Sequence, residues 1–176
     1  MSIKCVYPKT EIFSVLSLIE KEYKKIYNIT TPRNGKLMKS YAQIAIIALG
    51  GWIEDGLEEL TQLSIVKLRE IGNQKKATKF IDQIYGFNYD YHFSKAMMLS
   101  FGAHGLEFIE SKVGDSDIAI LNSSLNKLKK WRDKVAHSHR TVIPCNLTQV
   151  IREFNIIFPI LKQLEKYAKE YKKKHF

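Results

Sequence analysis

Between Lys127 and Arg140 the chain sets six basic side chains, two histidines and a single acid, Asp133. Within that stretch lies Lys130-Trp131-Arg132-Asp133-Lys134-Val135-Ala136-His137-Ser138-His139. Arginine brings a permanent charge on a planar fork that matches phosphate oxygens. Histidine titrates near neutrality and moves protons in either direction. Together they have what metal-free phosphodiester cleavage needs: an imidazole for the 2′-hydroxyl or the leaving oxygen, and a guanidinium for the charge on the phosphoryl oxygens. Asp133 is placed to orient either partner. Lys129, Lys130, Lys134, His139 and Arg140 surround them as cations that would draw a polyanion in.

The helix that carries these residues limits the chemistry. On a continuous α-helix His137 lies about 140° around and about 7.5 Å along from Arg132, so the two do not share a face. Either the helix ends before His137 or a second copy of the chain brings its own motif close. His139 meets the same spacing, and spacing by itself is a weak signal. Three other readings stay open: cations resting at a helix C-terminus, a module that binds nucleotide, RNA or protein without cleaving, and a metal pair at His137 and His139. For the last, no acid or cysteine array completes a ligand set nearby. No metal and no other cofactor is expected.

The remaining sequence supplies the elements that must position the motif. Apolar residues recur at three- and four-residue steps almost throughout. Ile12, Val15, Leu16, Ile19, Tyr23 and Ile26 predict a first helix opened by Thr10, and Asn28 to Gly35 reads as a loop. One long helix is expected over 36–71, passing through Gly50-Gly51 at a helix crossing and ended by Gly72. Glu54, Asp55, Glu58 and Glu59 give it an acidic face, read as solvated unless Glu54 reaches the motif. A short helix falls within 73–85, a turn within 86–91, and a further helix over 93–113. The motif helix runs over 117–135, with Ile118, Leu121, Leu125, Leu128 and Val135 inward. Residues 138–144 connect it to a last helix that Asn146 and Gln149 open as a capping box and that Pro159 should kink. His92 and His104 read as structural, and Trp131 as packing or as a stacking platform for a base.

The expected fold is therefore an all-α, up-and-down bundle of five to six helices, one domain over 1–176 with a lysine-rich tail at about 166–176. The 176 residues carry 28 Lys plus Arg against 18 Asp plus Glu, a net charge of +10, which points to an anionic partner or a solvated basic face. Two cysteines give no disulfide framework. No run is long and apolar enough to span a bilayer and the first residues do not read as a signal peptide, so a cytoplasmic setting without a membrane partner is expected.

The stretch Arg132-Asp133-Lys134-Val135-Ala136-His137 resembles the Arg-x4–6-His signature of the HEPN superfamily of helical domains, in which a polar residue commonly follows the arginine. Trp52-Ile53-Glu54, with Glu58 and Leu60 beyond, is similar to bacterial single-domain HEPN proteins of the RiboL-PSP type. The resemblance implies a metal-independent endoribonuclease acting as a toxin or antiviral effector, with a cognate antitoxin or inhibitory protein as a further partner. It implies a homodimer whose two motifs meet in one basic cleft that takes RNA. Arg132 and His137 would be the catalytic pair, Asp133 the polar residue beside them, and Glu54 a supporting residue. Asp133 stands where asparagine is commoner and adds a negative charge near the scissile phosphate. Some domains of this kind bind nucleotides or proteins and do not cleave.

Overall fold

The structure is a computed structural model that describes residues 5–27, 31–65, 68–83, 86–137 and 145–175. Among these residues the architecture is all-α. The helices are α1 (Lys9–Tyr27), α2 (Pro32–Ile65), α3 (Ile71–Ile81), α4 (Ser94–Val113), α5 (Asp115–His137) and α6 (Leu147–His175), with a π-helical turn at Tyr89–Phe93 before α4. No described strand interrupts them. Among the described residues no helix is long and apolar enough to cross a membrane.

Both ends of α2 differ from the sequence reading, each for a local cause, while α3 and α5 each start two residues earlier than expected and α5 ends two later. α2 begins at Pro32 rather than at 36 because Thr31 caps it. The Asn34 N–H donates to Thr31 Oγ1 at 3.2 Å, and the Gly35 N–H to the Thr31 carbonyl at 3.0 Å. Proline is well suited to the first helical position, where its fixed φ fits and its missing N–H is not needed. At the other end α2 stops at Ile65, whose carbonyl takes the Leu68 N–H. Gly72 then lies inside α3 and terminates nothing. The expected capping box is formed at α6: Asn146 N–H donates to Gln149 Oε1, and Gln149 N–H to Asn146 Oδ1, both at 2.9 Å. Pro159 is carried within α6.

The core gathers where the apolar stripes meet. Leu16 and Ile19 of α1, Ile46, Leu49, Ile53 and Leu60 of α2, Met97 and Ile109 of α4, Leu121, Leu125 and Leu128 of α5, and Phe154, Ile157 and Leu161 of α6 join one buried cluster. Trp131 belongs to this core. His92 is buried, its Nδ1 accepting the Asn88 N–H at 3.2 Å, as a structural histidine would. His104 is not structural in that sense: its side chain is fully open to solvent beside Glu107. The lysine-rich segment from Lys166 onward is a continuation of α6, with Ala168 buried on its inner side.

Glu165 of α6 ties down the segment that enters α1. Its buried carboxylate accepts the backbone N–H of Val6 at 2.9 Å and of Tyr7 at 3.3 Å, and it pairs with Lys162 and Lys169. Burial pushes the carboxyl pKa up, but the bonds from Lys162, Lys169 and Val6 outweigh it and bring it to about 2. The folded pKa is thus below the ordinary 4.5, so this group stabilises the fold fully above 4.5 and loses that contribution as pH falls toward about 2. Glu165→Gln should lower stability by about 3 kcal/mol at neutral pH, since it leaves two lysines and two backbone donors short of an anion. Urea unfolding between pH 2 and 7 tests this: the variant should show a shallower acid limb than the wild type.

Candidate functional site

Arg132 leaves α5 on the face that meets α2, and three neighbours fix it there. Its Nη1 donates to Glu54 Oε1 at 2.5 Å. Its guanidinium carbon lies 4.9 Å from the centre of the Phe87 ring, within cation–π range. Its Nε is 3.8 Å from Asp133 Oδ1, a charge contact too long for a hydrogen bond. The side chain is 24% exposed and Glu54 34% exposed, so the pair sits at the rim of the core, within reach of solvent.

The seat depends on Gly50. A Cβ there would approach Arg132 Cδ to 3.1 Å and Phe87 Cε1 to 3.2 Å. Gly50 and Glu54 are one turn apart on α2, so one residue admits the arginine stem and the other receives its head. The helix crossing expected from Gly50-Gly51 is thus made at Gly50, while Gly51 faces open space.

Asp133 also accepts from Lys129 Nζ at 2.5 Å, one turn earlier on α5. α5 stays helical through His137, so the helix does not loosen before the histidine. In register His137 falls four residues after Asp133 and on its face, whereas Arg132 is turned about 140° away. A single chain thus places the acid and the histidine position on one face, while Arg132 leaves the helix from another and touches Asp133 only through its Nε. Lys130 and Lys134 are on the exposed side of α5. His139 and Arg140 lie outside the described residues, and with them the proposed His137–His139 pair.

Sequence reading picked out Arg132, Asp133 and Glu54 but missed Phe87, whose only signal was its place in the aromatic-rich stretch 85–93. The Arg132–Glu54 contact joins positions 78 apart in the chain. A groove bordered by Glu54, Asp55, Glu58 and Asp82 opens beside it, giving α2 an acidic flank next to the basic face of α5. Among the described residues no group of three or more histidine, cysteine or acidic side chains could hold a metal ion. No family model, curated protein or solved structure matches this chain.

The pair can be weighed directly. A charge-assisted bond at the rim of a core contributes about 1.5–3 kcal/mol before solvent screening. A double-mutant cycle of Glu54→Gln and Arg132→Gln, read by urea unfolding, should give a coupling of about 1–2 kcal/mol once that screening is allowed for. Additive effects would show that the contact does not hold Arg132 in place.

Proposed function

We propose that the chain is a metal-independent endoribonuclease of the HEPN kind, acting as a toxin or defence effector through a site shared by two copies. The observation that carries the reading is Arg132 itself: a guanidinium seated by Gly50, Phe87 and Glu54 at the rim of the core, on a helix whose neighbouring turns carry Lys129, Lys130, Lys134 and His137. An arginine placed only for solubility needs no such seat.

The mechanism follows from the register. An imidazole at position 137, oriented by Asp133 one turn before it, removes the 2′-hydroxyl proton. The 2′-oxygen attacks phosphorus and the P–O5′ bond breaks. A protonated imidazole from the second copy gives its proton to the departing 5′-oxygen, leaving a 2′,3′-cyclic phosphate and a 5′-hydroxyl. Arg132 exchanges Glu54 for a phosphoryl oxygen and stabilises the charge that builds there. Within one chain Arg132 and position 137 diverge, so the reaction draws its arginine and its imidazoles from two copies.

α2 offers a surface for that second copy. Leu37, Ile44 and Ile47 are exposed along one side of the helix, and the open Gly51 continues their stripe toward Glu54. An apolar helix face of this kind next to the site suits a symmetric contact.

A second reading draws on the Glu54 pairing. Because Arg132 already has an acid partner, the domain could bind RNA or a nucleotide and not cleave it. Incubation of total tRNA and a structured RNA in excess EDTA separates the two. The wild type should cleave, and Arg132→Ala and His137→Ala, shown to be folded and of unchanged oligomeric state, should each lose about 100-fold or more in rate. Retained RNA binding without cleavage by the wild type would establish the binding module.

The shared site has its own test. Ile44→Lys with Ile47→Lys should give a folded monomer by light scattering, without detectable cleavage. A wild type that is monomeric at micromolar concentration, yet cleaves, would sink the two-copy site.

A further inference from the structure

A second basic surface lies at the far end of the bundle and plays no part in the chemistry above. α5 and α6 are antiparallel: Lys127 Nζ meets Glu153 Oε1 at 2.6 Å, and Gln163 Nε2 meets Asp117 Oδ2 at 3.1 Å. Arg132 is therefore level with the first turns of α6, and the last turns of α6 lie at the opposite end. At 1.5 Å per residue, Tyr171 stands on the order of 35 Å from the level of Arg132.

Three lysines converge there on one exposed acid. Lys174 Nζ donates to Glu170 Oε1 at 2.7 Å, and Lys112 of α4 and Lys166 act on the same carboxylate at longer range. Three cations around one anion leave a net positive centre.

Aromatic rings are built into it. Tyr171 and His175 stack with centroids 4.2 Å apart and planes 26° from parallel. Phe108 of α4 lies 5.5 Å from Tyr171, and Phe101 closes edge-on at 6.2 Å. Lys112 and Lys174 stand over Phe108 at 5.9 and 5.6 Å, and Lys166 over Tyr167 at 4.9 Å. Gly105 sets the array: a Cβ there would come within 2.9 Å of Tyr171 Cε1, so its absence lets the phenol ring lie on the backbone of α4. The ring on which His175 stacks is thus fixed by the core, while His175 itself is exposed.

Lysines that only solubilise need no fixed rings between them. Cations set among aromatic faces suit a single-stranded nucleic acid, in which each phosphate takes a cation and each base takes a ring. A lipid surface calls for an apolar face to insert, and these rings are half-buried at their edges. We infer that the α4–α6 end, formed by Lys112, Lys166, Lys174, Tyr171 and His175, is an anchoring site for single-stranded RNA, separate from the Arg132 motif. Its identity as an RNA site rests on the proposed substrate. Its role is to hold the strand, so it acts on affinity and KM and leaves kcat alone.

The test uses the full chain in EDTA with a 5′-labelled 20-nucleotide single-stranded RNA, read by anisotropy at several salt concentrations. The triple variant Lys112→Gln, Lys166→Gln, Lys174→Gln should bind about tenfold more weakly. It should also flatten the slope of log affinity against log salt by about two, near 0.7 for each lost phosphate contact. His175→Ala should weaken binding about fivefold or more with the slope unchanged, since one stacked base is lost. If the wild type cleaves, the triple variant should raise KM and keep kcat.

The failures are distinct. Unchanged affinity and slope in the triple variant, with the wild type binding and cleaving RNA, would overturn the anchor and leave the motif reading intact. Loss of binding in the triple variant, with no cleavage by the wild type, would support the anchor and sink the nuclease. Wild-type binding to phosphatidylserine vesicles in place of RNA, lost in the triple variant, would overturn the anchor in favour of a membrane. No RNA binding by the wild type would overturn both.

Discussion

α2 is the constraint on which the rest of this fold depends. Its 34 residues pack against five other helices of the bundle, and they do so with Ile46, Leu49, Ile53 and Leu60 essentially removed from water. A fully buried aliphatic side chain contributes about 1.5–3 kcal/mol relative to exposure, so this helix fixes where the others lie. Its concession at the α5 crossing is Gly50, which gives up about 1 kcal/mol of helix propensity relative to alanine. In exchange the crossing with α5 is close enough for Arg132 to pass over the helix and reach Glu54. The site is thus a consequence of the packing geometry: move α2 and the arginine loses both its stem contact and its acid partner.

The electrostatics around Arg132 are divided. Phe87 and the Gly50 contact stiffen the guanidinium, and Glu54 offsets its charge. Asp133 is shared with Lys129, so its own charge is partly neutralised on α5. In the proposed chemistry a phosphate takes the place of Glu54 at Arg132, an exchange favoured by both partners being about a quarter to a third exposed. A deeply buried pair would hold several kcal/mol against such an exchange. The acidic groove of Glu54, Asp55, Glu58 and Asp82 repels a polyanion from the α2 side. In the proposed reading, approach is left to the side of α5 on which Lys130 and Lys134 are exposed.

Periodicity made the helices legible, because burying one stripe of each helix drives the folding and leaves its mark at every third or fourth residue. Leu121, Leu125 and Leu128 are buried as their spacing requires, and Asn146 with Gln149 closes the capping box that its residue types announce. Boundaries were less legible where a cap competes with a breaker. Thr31-Pro32 starts a helix that Pro and Gly35 together suggested was a loop, and Gly72 is tolerated inside α3. Arg132 and Asp133 could be singled out because charge and imidazole in one short stretch have a chemistry of their own. The seat could not: the Glu54 and Phe87 contacts are set by how helices cross, and local spacing carries no information about that. The same holds for the Tyr171 array, whose ring plane depends on Gly105 in another helix.

The register of α5 decides which side chains of the motif can meet within one chain. Had the helix frayed after Arg132, the arginine and histidine could have met within one chain and a monomer would suffice. It continues through His137, and a regular helix cannot bring residues five apart onto one face. The pattern Arg-x4-His on an unbroken helix is therefore a pattern for two-sided use: the arginine looks inward to α2, and the histidine position shares the Asp133 side of the helix. In the proposed chemistry, which needs both, a second copy supplies the partner that the register keeps apart. The side of α2 that leads toward Glu54 carries the exposed Ile44 and Ile47. The register of α5 and the exposed apolar side of α2 are the two observations on which the proposed two-copy site rests.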